Sequence, residues 1–300
     1  MPWLAAVVTV ASASAAVATA TKPSLNTARI EELTGVKGAL NATEGVFKVS
    51  VPRGDLAVMA AGVRLTPSMG LTSWAAFKRT GKGTVVMGDM VLLEDQVNPV
   101  MSVALDSGLE VTALHNHFFW ESPRVMFMHI GGMGDEAALA AAVGKVFAKI
   151  KETSGGKGDL PRADIDPAKS VLDTKAIDAA LGQSGDLKDG VYKVVMGRET
   201  AMHDDTMGST MGVNTWAAFA GTDDNAVADG DFAMLETELQ GVLKALRGAN
   251  IDIVAIHQHM TGESPRVMFL HYWGVGRAAD LAKGLRAALD RTATSRKTPR

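Results

Sequence analysis

A block of 61 residues is written twice in this chain. Residues 69–129 align with residues 211–271 at a constant offset of 142, without a gap, and about 24 of the 61 pairs are identical. Thus "MGLTSWAAF" at 69–77 returns as "MGVNTWAAF" at 211–219, and Asp89, His115, His117, Glu121 and His129 fall on Asp231, His257, His259, Glu263 and His271. Upstream, "LNTARIEELTG" from Leu25 matches "LDTKAIDAALG" from Leu172 after a small change of spacing. Self-similarity over such a span is the mark of a duplicated structural unit. The chain must therefore fold as two copies of one domain, spanning 25–150 and 172–292, joined by a polar, Gly- and Pro-bearing linker at 151–171.

Within each copy, short runs rich in β-branched and aromatic residues and bounded by Gly or Pro read as strands: "GVFKVSV", "LAVMAAGVRL", "SWAAFKR" and "TVVMGDMVLL". Leu93, Val97, Val100, Met101 and Ala104 then recur at helical spacing, as do Leu235, Leu239, Val242, Leu243 and Leu246, with Gly248 at the expected C-cap. Two further strands, "LEVTALHNH" and "RVMFMHIGG", flank a Glu-Ser-Pro turn, and "DEAALAAAVGKVFAKIKE" closes the copy as a helix. Strands with interspersed helices but no regular βαβ alternation predict an α+β fold, each copy an antiparallel sheet with flanking helices.

Six of the seven histidines belong to the repeated stretches "LHNHFFWESPRVMFMH" and "IHQHMTGESPRVMFLH". Residues two apart on a strand face the same way, so His115 and His117, in line with Val111 and Ala113, are expected to project together, as are His257 and His259. An antiparallel pairing with an even register sum brings His129 and His271 to the same face, whereas a one-residue slip turns them away. Glu121 and Glu263 stand at the mouth of the connecting turn. Three imidazoles and a carboxylate suit a borderline divalent ion, zinc first and copper next. With one coordination position left to water, Glu121 and Glu263 would serve as general bases. The pattern H-x-H-x₃-E is similar to the first metal motif of cupins, although neither copy has the later cupin motif. Against this stands a plainer reading, in which the histidines are hydrogen-bonded core residues and Glu-Ser-Pro-Arg is a turn braced by an exposed ion pair.

Arg124 and Arg266 are candidates for gripping a substrate carboxylate or phosphate. His203 beside Asp204 and Asp205 has no counterpart in the first copy and reads as a solvated loop, and Trp74 and Trp216 read as core aromatics. The net charge of −3 and the lack of a basic cluster exclude a nucleic-acid surface. Without cysteine there is no disulfide or thiolate ligand. Residues 1–20, an apolar block followed by small residues with Ala18-Thr19-Ala20 as a cleavage site, read as a signal peptide, and no later apolar run is long enough to span a membrane.

The Ser/Thr-Trp-Ala-Ala-Phe segments, the His-x-His pairs, the Glu-Ser-Pro-Arg turns and the Val-Met-Phe-x-His strands together resemble the LppY/LpqO family, an exported bacterial group named for mycobacterial lipoproteins. The resemblance runs from about Leu25 to Leu289 and implies an exported protein of two related units, without implying a reaction. No lipobox cysteine is present, so a free periplasmic or secreted form is expected. The function expected from the residues is metal binding, with or without hydrolysis. The alternative is a non-enzymatic module that recognises an anionic envelope ligand.

Overall fold

The computed structural model describes residues 24–155, 158 and 160–292, so the expected signal peptide lies outside the described residues. The first copy runs α1 (Thr27–Thr34), β1 (Gly38–Asn41), β2 (Val46–Pro52), β3 (Met59–Ala60), β4 (Val63–Arg64), β5 (Thr72–Thr80), β6 (Gly83–Leu93), α2 (Glu94–Asp106), β7 (Glu110–His115), β8 (Glu121–Ser122), β9 (Val125–Gly134) and α3 (Glu136–Glu152). The second runs α4 (Thr174–Leu181), β10 (Asp186–Lys188), β11 (Val191–Gly197), β12 (Thr200–Met202), β13 (Asp205–Met207), β14 (Asn214–Gly221), β15 (Ala226–Leu235), α5 (Leu239–Gly248), β16 (Asp252–His257), β17 (Val267–Gly276) and α6 (Ala278–Leu289). The fold is α+β, and the strands of both copies share one twelve-stranded sheet. Among the described residues, no helix is long and apolar enough to cross a membrane.

The strand order β1-β2-β5-β6-β9-β7-β16-β17-β15-β14-β11-β10 reads the same from either end once equivalent strands are matched. Two copies were expected to carry a sheet each; instead the half-sheets meet edge to edge, where Leu114 pairs antiparallel with its own repeat equivalent, Ile256. A pseudo-two-fold axis therefore passes between β7 and β16. The backbone seam is narrow, and side-chain amides extend it. Asn98 of α2 donates to the carbonyl of Ile253 and accepts from its N–H at 3.2 and 2.8 Å, while Gln240 of α5 does the same for Val111 at 2.9 and 3.0 Å. Both contacts fall beside a β-bulge, at Val111/Ala113 and Ile253/Ala255, where the extra residue breaks the ladder and leaves backbone groups to be satisfied.

Alternation along the strands sends one set of side chains to the helices. Val49, Ala75, Phe77, Val86, Met128 and Ile130 join Val100, Leu139 and Val143 of the helices in the main core, and the second copy repeats this packing. The other sheet face is half open. In β6 the alternation stops after Met87, and every residue from Gly88 to Leu93 is buried on both faces. The cause is a small cap, the sheet β4-β3-β8, that covers Val91, Val125 and Phe127 with Leu56, Val58 and Leu65. The run expected as one strand, "LAVMAAGVRL", is thus the β3-β4 hairpin, turned at Ala61 and Gly62. Buried Arg53 fixes the cap to the sheet and to α2 by donating to the carbonyl of Val91 and to Gln96, and by pairing with Asp55 at 2.9 Å.

Two expected boundaries move. The helix of the second copy runs through Gly248 and caps at Ala249, and the left-handed residue after it is Asn250, as Gly108 is in the first copy. The linker is not free of structure, because Val171 pairs with Thr222 beside a short 3₁₀ turn at Pro167–Lys169.

Candidate metal centre

β9 lies antiparallel to β7, with Ala113 opposite His129 and His115 opposite Phe127. On its other side β9 pairs with β6, which puts Asp89 opposite His129. Directly opposed residues point to the same face, so His115, His129 and Asp89 converge on the open side of the sheet. The second copy repeats the arrangement, with His271 opposite both Ala255 and Asp231, and His257 opposite Phe269. The register sum is even, as the shared-face arrangement requires. Val111, however, sides with Ile130 on the helix face rather than with the histidines, because the bulge shifts the alternation by one residue.

His117 and His259 reach the cluster by another route. β7 ends at His115 and β16 at His257, so strand alternation does not place the second histidine of each pair. The loop instead folds its ring back onto an aromatic. His117 stacks on Phe127 with centroids 3.3 Å apart, and His259 on Phe269 at 3.5 Å. Each then lies 5.1 Å from the first histidine of its pair. His115 and His129 stack at 5.1 Å, and His257 and His271 at 4.8 Å.

The carboxylates that stand opposite the histidines are Asp89 and Asp231, whereas the sequence pointed to Glu121 and Glu263. Among the described residues, Asp231, His257 and His259 each offer a ligand atom, all within 4.8 Å of one another, and Glu263 is not in this group. Glu263 sits where the chain must turn through the cis Ser264–Pro265 bond, and its Oε1 accepts from the N–H of Val267 at 3.1 Å, which closes the turn. Glu121 lies in the cap, paired with Ala60. The signal for the aspartates was present in the repeat, since Gly88-Asp89 and Gly230-Asp231 fall on each other at the offset of 142, and Asp89 interrupts a strand that otherwise reads as apolar. The glycine is required there: a Cβ on Gly230 would stand 2.1 Å from the carbonyl oxygen of Trp216, and one on Gly88 2.7 Å from that of Trp74.

Asp231 is buried, and its Oδ2 meets His259 Nε2 at 3.2 Å, while Oδ1 has no partner. Burial raises its pKa against the opposing pull of His271 and His259. His257 Nε2 is also buried without a partner, and burial followed by the neighbouring imidazoles lowers its pKa. An imidazole kept neutral, with a free lone pair beside an unsatisfied carboxylate oxygen, is a donor set short of a cation. In the first copy, Asp89 Oδ1 is likewise buried and unpartnered, but among the described residues no ion pair links Asp89 to His117. Burial lowers the pKa of His117, opposed by Asp89 and reinforced by His115 and His129.

Arg124 and Arg266 stay outside both clusters and are exposed. Arg124 lies 3.9 Å from Glu94 and lines a cavity of about 520 Å³ at the seam, together with Leu114, Met126, Arg247 and Trp273. His203 is exposed in the β12-β13 turn.

A family model described as Domain of Unknown Function (DUF1259) matches the chain twice, over residues 28–149 and 175–291. No curated protein matches it. Among solved structures, a trimeric bacterial microcompartment shell protein, PduB, aligns over 85% of this chain and 89% of its own, at 12% identity and a TM-score of 0.20. A likeness at that score carries no argument about fold or assembly.

Proposed function

The chain belongs to the family described as Domain of Unknown Function (DUF1259), which matches both of its copies, and we propose that it is a transition-metal-binding protein. The observation that carries the proposal is the convergence of Asp231, His257 and His259 within 4.8 Å, with one buried atom on each of Asp231 and His257 lacking any partner. His271 stands beside them as a further imidazole, and Asp89, His115, His117 and His129 form the looser equivalent in the first copy. Two or three imidazole nitrogens with one carboxylate favour zinc, and copper comes second. Metal binding is what the donor set supports directly; hydrolysis would need a general base in addition, and Glu263, whose Oε1 closes the turn, keeps its Oε2 buried without a partner. The leader-like first 20 residues support placing the protein outside the cytoplasm, and the shared motifs support kinship with the LppY/LpqO group.

Elemental analysis of protein purified without an affinity metal tests this reading. Wild type should carry at least one transition ion per chain, Asp231→Asn/His257→Ala should lose it, and Glu263→Gln should keep it. Metal-free wild type, after refolding with added zinc, copper and nickel, would overturn the proposal.

A further inference from the structure

The caps of the two copies share a plan and differ in surface chemistry. In the first, Ala60 of β3 stands opposite Val63 on one side and Glu121 on the other. That register sets Trp120, the residue before Glu121, beside the Ala61-Gly62 turn. Phe119 is 70% and Trp120 82% exposed, and Val63 and Met59 on the adjoining strands are also exposed. In the second copy the equivalent positions are Thr261, Gly262, Asp205 and Ala201, and the turn is His203-Asp204. One tip is apolar and the other polar.

Backbone geometry sharpens the contrast. Trp120 has φ +61°, in the left-handed region, and Gly262 meets the same place at φ +91°. Glycine adopts that backbone freely, whereas a large side chain is disfavoured there. The first copy therefore keeps a bulky aromatic against its local preference and leaves it in water. The loop is not slack: Asn116 Nδ2 donates to the carbonyl of Phe118 at 2.7 Å, and the Phe118 ring packs onto the cap core, so the next two rings are held outward. An exposed guanidinium, that of Arg64 opposite Met59, belongs to the same small sheet.

We propose that this tip docks on an anionic lipid surface, with Phe119 and Trp120 entering the headgroup region and Arg64 meeting a lipid phosphate. Tryptophan and phenylalanine favour that depth, and nearby cations add attraction to anionic leaflets. A protein partner would call for a broad apolar area of about 800 Å² per side, whereas here two exposed rings stand at one tip with the guanidinium of Arg64 in the same small sheet.

The test uses the full chain with vesicles of phosphatidylcholine alone, or mixed with phosphatidylglycerol, read by co-sedimentation and tryptophan emission. Wild type should sediment with the mixed vesicles, and its emission should shift to the blue. Phe119→Thr/Trp120→Gly installs the residues of the second copy, so the turn is known to accommodate them. It should bind the mixed vesicles roughly tenfold more weakly or worse, with unchanged metal content, and any contribution from the N-terminal segment is common to both proteins. Arg64→Gln should reduce the preference for phosphatidylglycerol. Failure of wild type to bind, binding unaltered in the aromatic variant, or an equal emission shift with a soluble oligosaccharide would each overturn the proposal. Metal content is scored separately, so these outcomes do not bear on the metal reading.

Discussion

The two copies agree in strand order, in the position of the bulge, in the cis Ser-Pro turn and in the stacking of the second histidine on a phenylalanine. At the metal centre they part at one contact. In the second copy His259 reaches Asp231, and three ligand atoms close to within 4.8 Å; in the first, Asp89 is buried on the same strand position without that ion pair. Duplication thus preserved the scaffold and the donor residues, and among the described residues it is the second copy whose donors are already gathered. Preorganisation lowers the cost of ordering groups on binding, so the second site should be the tighter one.

The largest expected effect follows from that difference. Asp231→Asn should weaken the tighter site on the order of 100-fold, since it removes the charge-neutralising ligand. Asp89→Asn should cost about tenfold at the weaker site, both read by calorimetric titration with zinc. Equal losses would erase the distinction between the copies.

The seam offers a test of the symmetry itself. Asn98→Ala and Gln240→Ala each strip two hydrogen bonds from a bulge and should each cost about 1–3 kcal/mol in denaturant unfolding. A cost on one side only would show that the two halves bear unequal load. At the cap tips the signs should be opposite: Trp120→Gly should stabilise the fold, and Gly262→Ala should destabilise it, each by about 1 kcal/mol.

The smallest effect concerns pH. Burial lowers the pKa of His257 and of His117, so the folded state binds fewer protons there than the unfolded chain. Their contribution to the metal-free protein is present above the ordinary imidazole value of about 6.5 and is lost as pH falls through the lower folded value. Asp231, raised by burial, acts with the opposite sign at lower pH, in the carboxylate range. Stability of the metal-free protein measured from pH 7 to 5 should fall, and His257→Gln should flatten the curve.

Much of this was legible from the repeat. The constant offset revealed two copies, and the alternating runs marked most strands of the sheet. The convergence of His115 with His129 required only an even register, which the pairing of Ala113 with His129 supplies. The joining of the half-sheets was not legible, because Leu114 and Ile256 look like any core strand residues, and only their mutual pairing makes them special. The bulges escaped notice for a related reason: Thr112 and Val254 share no residue type that would mark them as extra. The aspartates were not picked out because Glu121 and Glu263 adjoin the histidines along the chain and drew the eye first. Asp89 and Asp231 are distant in sequence but come opposite His129 and His271 across β6-β9 and β15-β17.

The most direct measurement is anomalous diffraction from crystals of the protein loaded with zinc. The account predicts a strong peak between the carboxylate of Asp231 and the rings of His257 and His259, and a weaker one, if any, beside Asp89. Peaks confined to Glu121 or Glu263, or none within reach of any of the six paired histidines, would contradict it.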